Sequence, residues 1–224
     1  MVSRRTVDII HGYHRLVGDL SLTEPMCGLV VFAHGTGSSR FSPRNQFVAA
    51  RLNQHSIGTL LFDLLTPEED RLYSNRFDIA LLTERLEHVV RWVISQRELS
   101  YLPLGLFGAS TGAAAALRAA VVLKGGVKAV VSRGGRADLT GDEALGILSP
   151  PTLLIVGGED RDVLELNRAA FSKMRCEREL YVVPGAGHLF EEPGSLERVS
   201  DLAADWFARH FLQPIEGITA GAPT

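Results

Sequence analysis

The sequence predicts an α/β fold: three layers, a mostly parallel sheet of about eight strands, and helices on both faces. Three observations predict it. Short apolar runs alternate along the chain with stretches of helical period. A Gly-x-Ser-x-Gly motif, Gly108-Ala109-Ser110-Thr111-Gly112, joins one such run to an alanine-rich stretch. Two later apolar runs each end in a glycine-rich loop, one carrying aspartates and the other a histidine.

Each element has its own signal. Thr6–Ile10 and His14–Leu22 read as an opening antiparallel pair with Gly12 in the turn. Gly28–Ala33 and Thr59–Leu64 are apolar throughout, as strands buried on both faces must be. Between them, Pro43–Gln54 has helical spacing at Phe47, Val48, Arg51 and Leu52. Arg76–Arg97 reads as a long amphipathic helix, with Ile79, Leu82, Leu86, Val89, Val90 and Val93 on one stripe. After the serine strand and its helix come strands Val127–Ser132, Thr152–Val156 and Leu180–Val183. They are interleaved with helices Val163–Met174 and Ser195–Phe211. A single domain is expected over 1–212, followed by a fraying tail over 213–224.

Composition excludes several classes. A net charge of −3 offers no polyanion surface, so no nucleic-acid partner is expected. No apolar run nears the ~20 residues of a membrane span, so no membrane partner is expected either. Arg4 and Arg5 have no apolar core behind them and do not open a signal peptide. Cys27 and Cys176 lack metal-ligand spacing. They are expected as reduced thiols of a cytoplasmic protein, with a single bridge left open. Neither a metal nor an organic cofactor is implied. A homo-oligomer remains open.

The serine motif carries chemistry because of its setting. A hydroxyl is a poor nucleophile, and lifting it onto a sharp strand-to-helix turn is a device for covalent catalysis. Positions two before and two after the serine must be small there, and Gly108 and Gly112 are. The Thr111 N–H opens the next helix and has no intrahelical acceptor, which makes it a donor for developing negative charge. Catalytic loops of a parallel sheet gather at the carboxyl ends of its strands. Past Thr152–Val156 stands Asp160, and past Leu180–Val183 stands His188. The chain order Ser110, Asp160, His188 is one of the known orders of a Ser-His-acid triad. His188 would take and return the Ser110 proton while Asp160 orients the ring. Asp162 and Asp138 are the alternative acids, and Asp63 reads as structural.

These residues resemble the α/β-hydrolase superfamily, in its dienelactone-hydrolase-like branch, from about Val7 to Leu212. The marks are His34-Gly35 after the third strand, the elbow at 108–112, Gly157-x-x-Asp160-x-x-Val163, and Gly185-Ala186-Gly187-His188. Dienelactone hydrolases proper use a cysteine nucleophile where this chain has Ser110. The resemblance implies that the residue after His34-Gly35, Thr36, supplies the second oxyanion N–H, and that His34 is structural. It also implies a lid between the sixth and seventh strands in larger members. Here only Ala137 to Ser149 fills that gap, so an open site for small soluble substrates is expected, with Thr66–Asn75 as a possible partial cover.

Arginine binds carboxylate or phosphate through paired N–H donors. Arg133, with Arg40 or Arg44, is therefore expected to meet an anionic part of a small-molecule acyl substrate. The competing expectation is that these arginines pair with Glu68-Glu69-Asp70 or with backbone carbonyls. The function expected is a serine hydrolase cleaving a small ester, lactone or thioester through an acyl-enzyme. The alternatives are an acyltransferase or amidase on the same triad, and a ligand-binding module without turnover.

Overall fold

Apolar runs that cannot face water on either side form the middle of the molecule. The computed structural model describes residues 1–212; the expected tail lies outside the described residues. In chain order the elements are β1 (Val2–His11), β2 (His14–Thr23), β3 (Gly28–Ala33), α1 (Pro43–Gln54), β4 (Ile57–Phe62), α2 (Pro67–Asp70) and α3 (Ile79–Ser95). Then follow β5 (Leu104–Ala109), α4 (Thr111–Val122), β6 (Ala129–Arg133), α5 (Asp142–Ile147), β7 (Thr152–Gly157), α6 (Arg161–Lys173), β8 (Arg178–Val183) and α7 (Ser195–Phe211). The sheet has eight strands in the order β1-β2-β4-β3-β5-β6-β7-β8. The β1–β2 and β2–β4 pairs are antiparallel, and the others are parallel.

Every residue of β3, β4, β5, β6 and β7 is buried. That requires cover on both faces, and the helices supply it. Leu86, Val89 and Val90 of α3 and the alanines of α4 build one core with Val31, Leu60 and Leu106. Val48 and Leu52 of α1 and Val199, Ala203 and Phe207 of α7 build the other with Phe32, Phe107 and Ile155. Full burial of each large side chain contributes roughly 1.5–3 kcal/mol, so these two layers carry most of the folding drive.

The expected elements are present, with shifts at their ends. The long helix starts at Ile79, not Arg76, because the Asp78 side chain caps it by accepting from Leu81 N–H. β4 ends at Phe62, not Leu64, because the Leu64 N–H donates to His34 Nε2 (3.0 Å) and leaves the sheet. The sequence reading missed two short helices, α2 and α5. Pro67 and a capping box between Thr66 and Glu69 start the first.

The strand order places the site. From β3 the chain moves through α1 to β4 on one side, then through α3 to β5 on the other. The loops after β3 and β5 therefore diverge at their carboxyl ends and leave a crevice between them. Helix α4 can start under that crevice only because Gly112 has no side chain: a Cβ there would lie 2.3 Å from the Ala33 carbonyl oxygen. We predict that Gly112→Ala lowers stability by about 1–3 kcal/mol or more through overpacking against fixed backbone, read as a lower midpoint in urea unfolding.

Candidate active site

The site is built on the turn between β5 and α4. Ser110 sits there with φ 50° and ψ −122°, in a backbone region that L-residues avoid. The strain is held by its surroundings. A Cβ on Gly108 would lie 2.4 Å from Ala113 Cα, so strand and helix touch where only glycine fits. Ser110 N–H donates to the Arg133 carbonyl (3.3 Å), and the Ser110 carbonyl accepts from Arg136 N–H (3.0 Å). The segment after β6 thus straps the elbow from below. The Ser110 hydroxyl does not cap its own helix.

Asp160 and His188 come from the loops after β7 and β8. They meet because the chain at Gly157 lies against the histidine loop: a Cβ there would be 2.3 Å from Ala186 O. His188 Nδ1 and Asp160 Oδ2 are 2.6 Å apart, with the Asp160 side chain mostly buried and the His188 ring partly open. A carboxylate only accepts, so Nδ1 carries the proton and Nε2 is left as the acceptor nitrogen of the ring. Gly187 N–H donates to Glu192 Oε1 (2.9 Å), which steadies the histidine loop. Ser110 and His188 line one cleft of about 210 Å³, together with Thr36, Arg44, Asn45 and Arg133.

The alternative acids are engaged or remote. Asp138 accepts both arms of Arg136 at 2.8 and 2.7 Å. Asp162 is exposed in the first turn of α6. Asp63 accepts from the Arg40 backbone N–H (2.8 Å) and pairs with the Arg40 side chain.

This last contact corrects one expectation. Arg40 is held by Asp63 and by Asp19 (3.2 Å) and lines a separate groove of about 710 Å³ between α1 and β2. It does not reach the Ser110 cleft, because the two acids draw it to the other side of α1. Arg44 and Arg133 do reach the cleft. The acidic loop is satisfied elsewhere: Glu69 pairs with Arg85 and Asp70 with Arg76. His210 is buried against Trp206, with ring centroids 4.5 Å apart.

Thr36 lies in the cleft, but its N–H donates to Thr111 Oγ1 (3.0 Å), and the two hydroxyls are 2.9 Å apart. Thr36 Oγ1 in turn donates to Arg76 O (3.1 Å), so the 66–77 segment braces this loop and contributes nothing to the cleft lining. The Thr111 N–H opens α4 and has no acceptor within its helix. The Thr36–Thr111 contact had no signal in the sequence, since it joins residues 75 apart. Gly134 was also missed. Its backbone passes under the histidine, where an added Cβ would be 3.5 Å from His188 Nδ1. The Gly134-Gly135 pair beside Arg133 was the available clue.

A sheet of this order, with a strained serine turn, an acid loop and a histidine loop at its carboxyl edge, makes the chain an α/β-hydrolase. It belongs, within that class, to the dienelactone hydrolase family. The structure matches the dienelactone hydrolase of Anabaena variabilis with a TM-score of 0.90 and 45% identity, covering 93% of this chain and 98% of that one. It also matches Est1E of Butyrivibrio proteoclasticus with a TM-score of 0.79 over 93% and 99% of the two chains; at 15% identity that likeness speaks to the fold alone. Proteins from two strains of Mycobacterium tuberculosis, provisionally named phosphoribosyl transferases, are 54% identical over 208 residues. Those residues are 93% of this chain and 47% of the mycobacterial proteins, so the chain spans about half the length of these curated relatives. No family model matches the sequence. Among the described residues no helix is long and apolar enough to cross a membrane, no acid–histidine–cysteine cluster could hold a metal, and both cysteines are unbridged.

His34 links the site to pH. Its Nε2 accepts from Leu64 N–H and its Nδ1 donates to Gly35 O (2.9 Å), so the ring must be neutral to hold the loop before Thr36. Burial holds its pKa below the ordinary 6.5, against weaker pulls from the Gly35 carbonyl, Asp63 and Asp70. The unfolded chain then binds a proton that the folded chain refuses. This contribution to stability is present above pH 6.5 and is lost as pH falls through the folded pKa. We predict that the wild-type Tm falls more steeply below that point than the Tm of His34→Gln, measured by thermal unfolding across a pH series.

Proposed function

We propose that the chain is a serine hydrolase that cleaves a small carboxylic ester, lactone or thioester through an acyl-enzyme. One observation carries the reading: Ser110, strained at φ 50°, shares a cleft with a His188 ring whose Nδ1 lies 2.6 Å from Asp160. Membership of the dienelactone hydrolase family supports it.

In this reading Ser110 Oγ attacks the acyl carbon as His188 Nε2 takes its proton. Asp160 keeps the ring in the required tautomer and stabilises the imidazolium. The carbonyl oxygen becomes an oxyanion and takes Thr111 N–H first. To take Thr36 N–H as well, it must replace Thr111 Oγ1 as acceptor, an exchange that leaves the threonine hydroxyls paired with each other. His188 returns its proton to the leaving alcohol or thiol, whose bond to the acyl carbon breaks. Water, deprotonated by the same ring, then attacks the ester of Ser110 and frees the acid. The short 137–149 connection, holding a 3₁₀ turn and the six-residue α5, is not a lid, and the His188 ring is partly exposed, which gives water a route to the acyl-enzyme. Access for water supports hydrolysis over transfer to a second acceptor. The transferase name of the mycobacterial proteins belongs to chains about twice as long as the shared segment. The part shared with this chain is the hydrolase fold.

Two measurements test the reading. A fluorophosphonate probe reacts only with an activated serine beside oxyanion donors. It should label Ser110 in the wild type and fail to label His188→Ala; a folded wild type that takes no label would move the binding-module reading to first place. Asp160→Asn should keep the fold and lower kcat on a small activated ester by about 10⁴-fold. A change of less than threefold would sink Asp160 as the orienting acid.

A further inference from the structure

Arg133 is an unusual cation in this molecule. Its side chain is 7% exposed, and among the described residues no carboxylate lies within ion-pair distance. Its Nε has no hydrogen-bond partner, and its Nη2 only just reaches Asn45 Oδ1 (3.5 Å). Arg85 provides the contrast: only 4% exposed, it is paired with both Glu69 and Glu84. An unpaired buried guanidinium is costly, so Arg133 is a donor set waiting for an anion. Burial, with the nearby charge of Arg44, pushes its pKa down to about 10, which still leaves it charged at neutral pH.

The groups facing it share its sign. Arg133 lines the Ser110 cleft opposite the N-terminus of α1, a 12-residue helix whose first turn holds no acidic residue. Ser42 caps that helix by accepting from Asn45 N–H, which leaves its own O–H free to donate. Arg44 N–H, the next amide after Pro43, has no carbonyl of its own helix to bond. The Arg44 side chain enters the same cleft, and among the described residues its ion-pair partner is the exposed Glu191 (3.0 Å). A helix N-terminus, an unpaired guanidinium and a second arginine together fit an oxygen-rich dianion better than a single carboxylate.

We propose that Arg133, Arg44 and the N-terminus of α1 form a phosphate subsite beside Ser110, so that the acyl substrate carries a phosphate monoester or phosphonate. The substrate class rests on the serine-hydrolase reading; the anion subsite itself does not.

Binding is measured on Ser110→Ala, which cannot turn over, by calorimetric titration with inorganic phosphate. Phosphate should bind, and Arg133→Met in that background should weaken it by roughly 10- to 100-fold, the worth of charge-assisted hydrogen bonds. Should Arg133→Met not fold, Asn45→Asp sets a carboxylate against Arg133 and should abolish phosphate binding while raising Tm. Turnover is measured on the wild type with three esters of similar length: 4-nitrophenyl butyrate, mono-4-nitrophenyl succinate and 4-nitrophenyl 3-phosphonopropionate. We expect kcat/KM to rise in that order, and the phosphonate-to-butyrate ratio to collapse in Arg133→Met. A flat series with no phosphate binding, on protein that labels at Ser110, overturns the proposal and leaves the hydrolase reading standing. Phosphate binding without Ser110 labelling keeps the subsite and overturns the hydrolase reading. Phosphate binding with a flat series assigns the site to the free ion and overturns the substrate class. A preference for succinate overturns phosphate as the occupant.

Discussion

Backbone segments touch around Ser110 at distances that no side chain allows, and the rest of the structure follows from that contact. Where β5 meets α4, an added Cβ on Gly108 would fall 2.4 Å from Ala113 Cα, and one on Gly112 would fall 2.3 Å from Ala33 O. These approaches let α4 start directly beneath the crevice between β3 and β5. They also force Ser110 into its positive φ. A strained turn of this kind costs on the order of 1–3 kcal/mol and survives only if its neighbours over-determine it. The strap from Arg133 to Arg136 below the elbow, and the close-packed alanines of α4, do that.

The same economy of backbone contact aligns the other groups. The chain at Gly157 rests on the loop that carries His188, so the acid and the histidine are set by main chain and not by long flexible side chains. His34 ties the loop after β3 to Leu64, and Thr36 ties it to Thr111 and to the carbonyl of Arg76. The loops at the carboxyl edge are thus cross-linked to one another and to the sheet. Held this way, the loops keep their relative positions, and the proposed reaction asks only that the Thr36 N–H change its acceptor as charge develops.

Charge is distributed with equal care around the cleft. Arg40, Arg76, Arg85 and Arg136 each have a carboxylate partner, and among the described residues Arg44 is paired with the exposed Glu191. Arg133, at the end of β6 and one residue before the glycine that passes under His188, has no carboxylate partner among the described residues, and its side chain meets Asn45 Oδ1 (3.5 Å) and the Phe190 ring. Placing an uncompensated cation next to the elbow destabilises the empty protein, and a bound anion would remove that cost.

Periodicity and glycine placement in the chain determined the layers, the eight strands, the elbow and the loops bearing Asp160 and His188. These are local properties: apolar runs bury, helical stripes cover them, and a serine between two glycines on a strand-to-helix turn has few other uses. Resemblance of the motifs to a known family was also legible, and the match to a dienelactone hydrolase bears it out. Partnership was not legible. That Arg40 turns to Asp63 and Asp19, while Arg133 at the end of β6 meets no carboxylate among the described residues, depends on which segments the fold brings beside each side chain. That Thr36 N–H meets Thr111 Oγ1 depends on two loops from separate strands arriving at one point. The order of strands in the sheet decides such contacts, and no local pattern encodes them, because they join residues that are far apart along the chain and adjacent only once the two cores have closed.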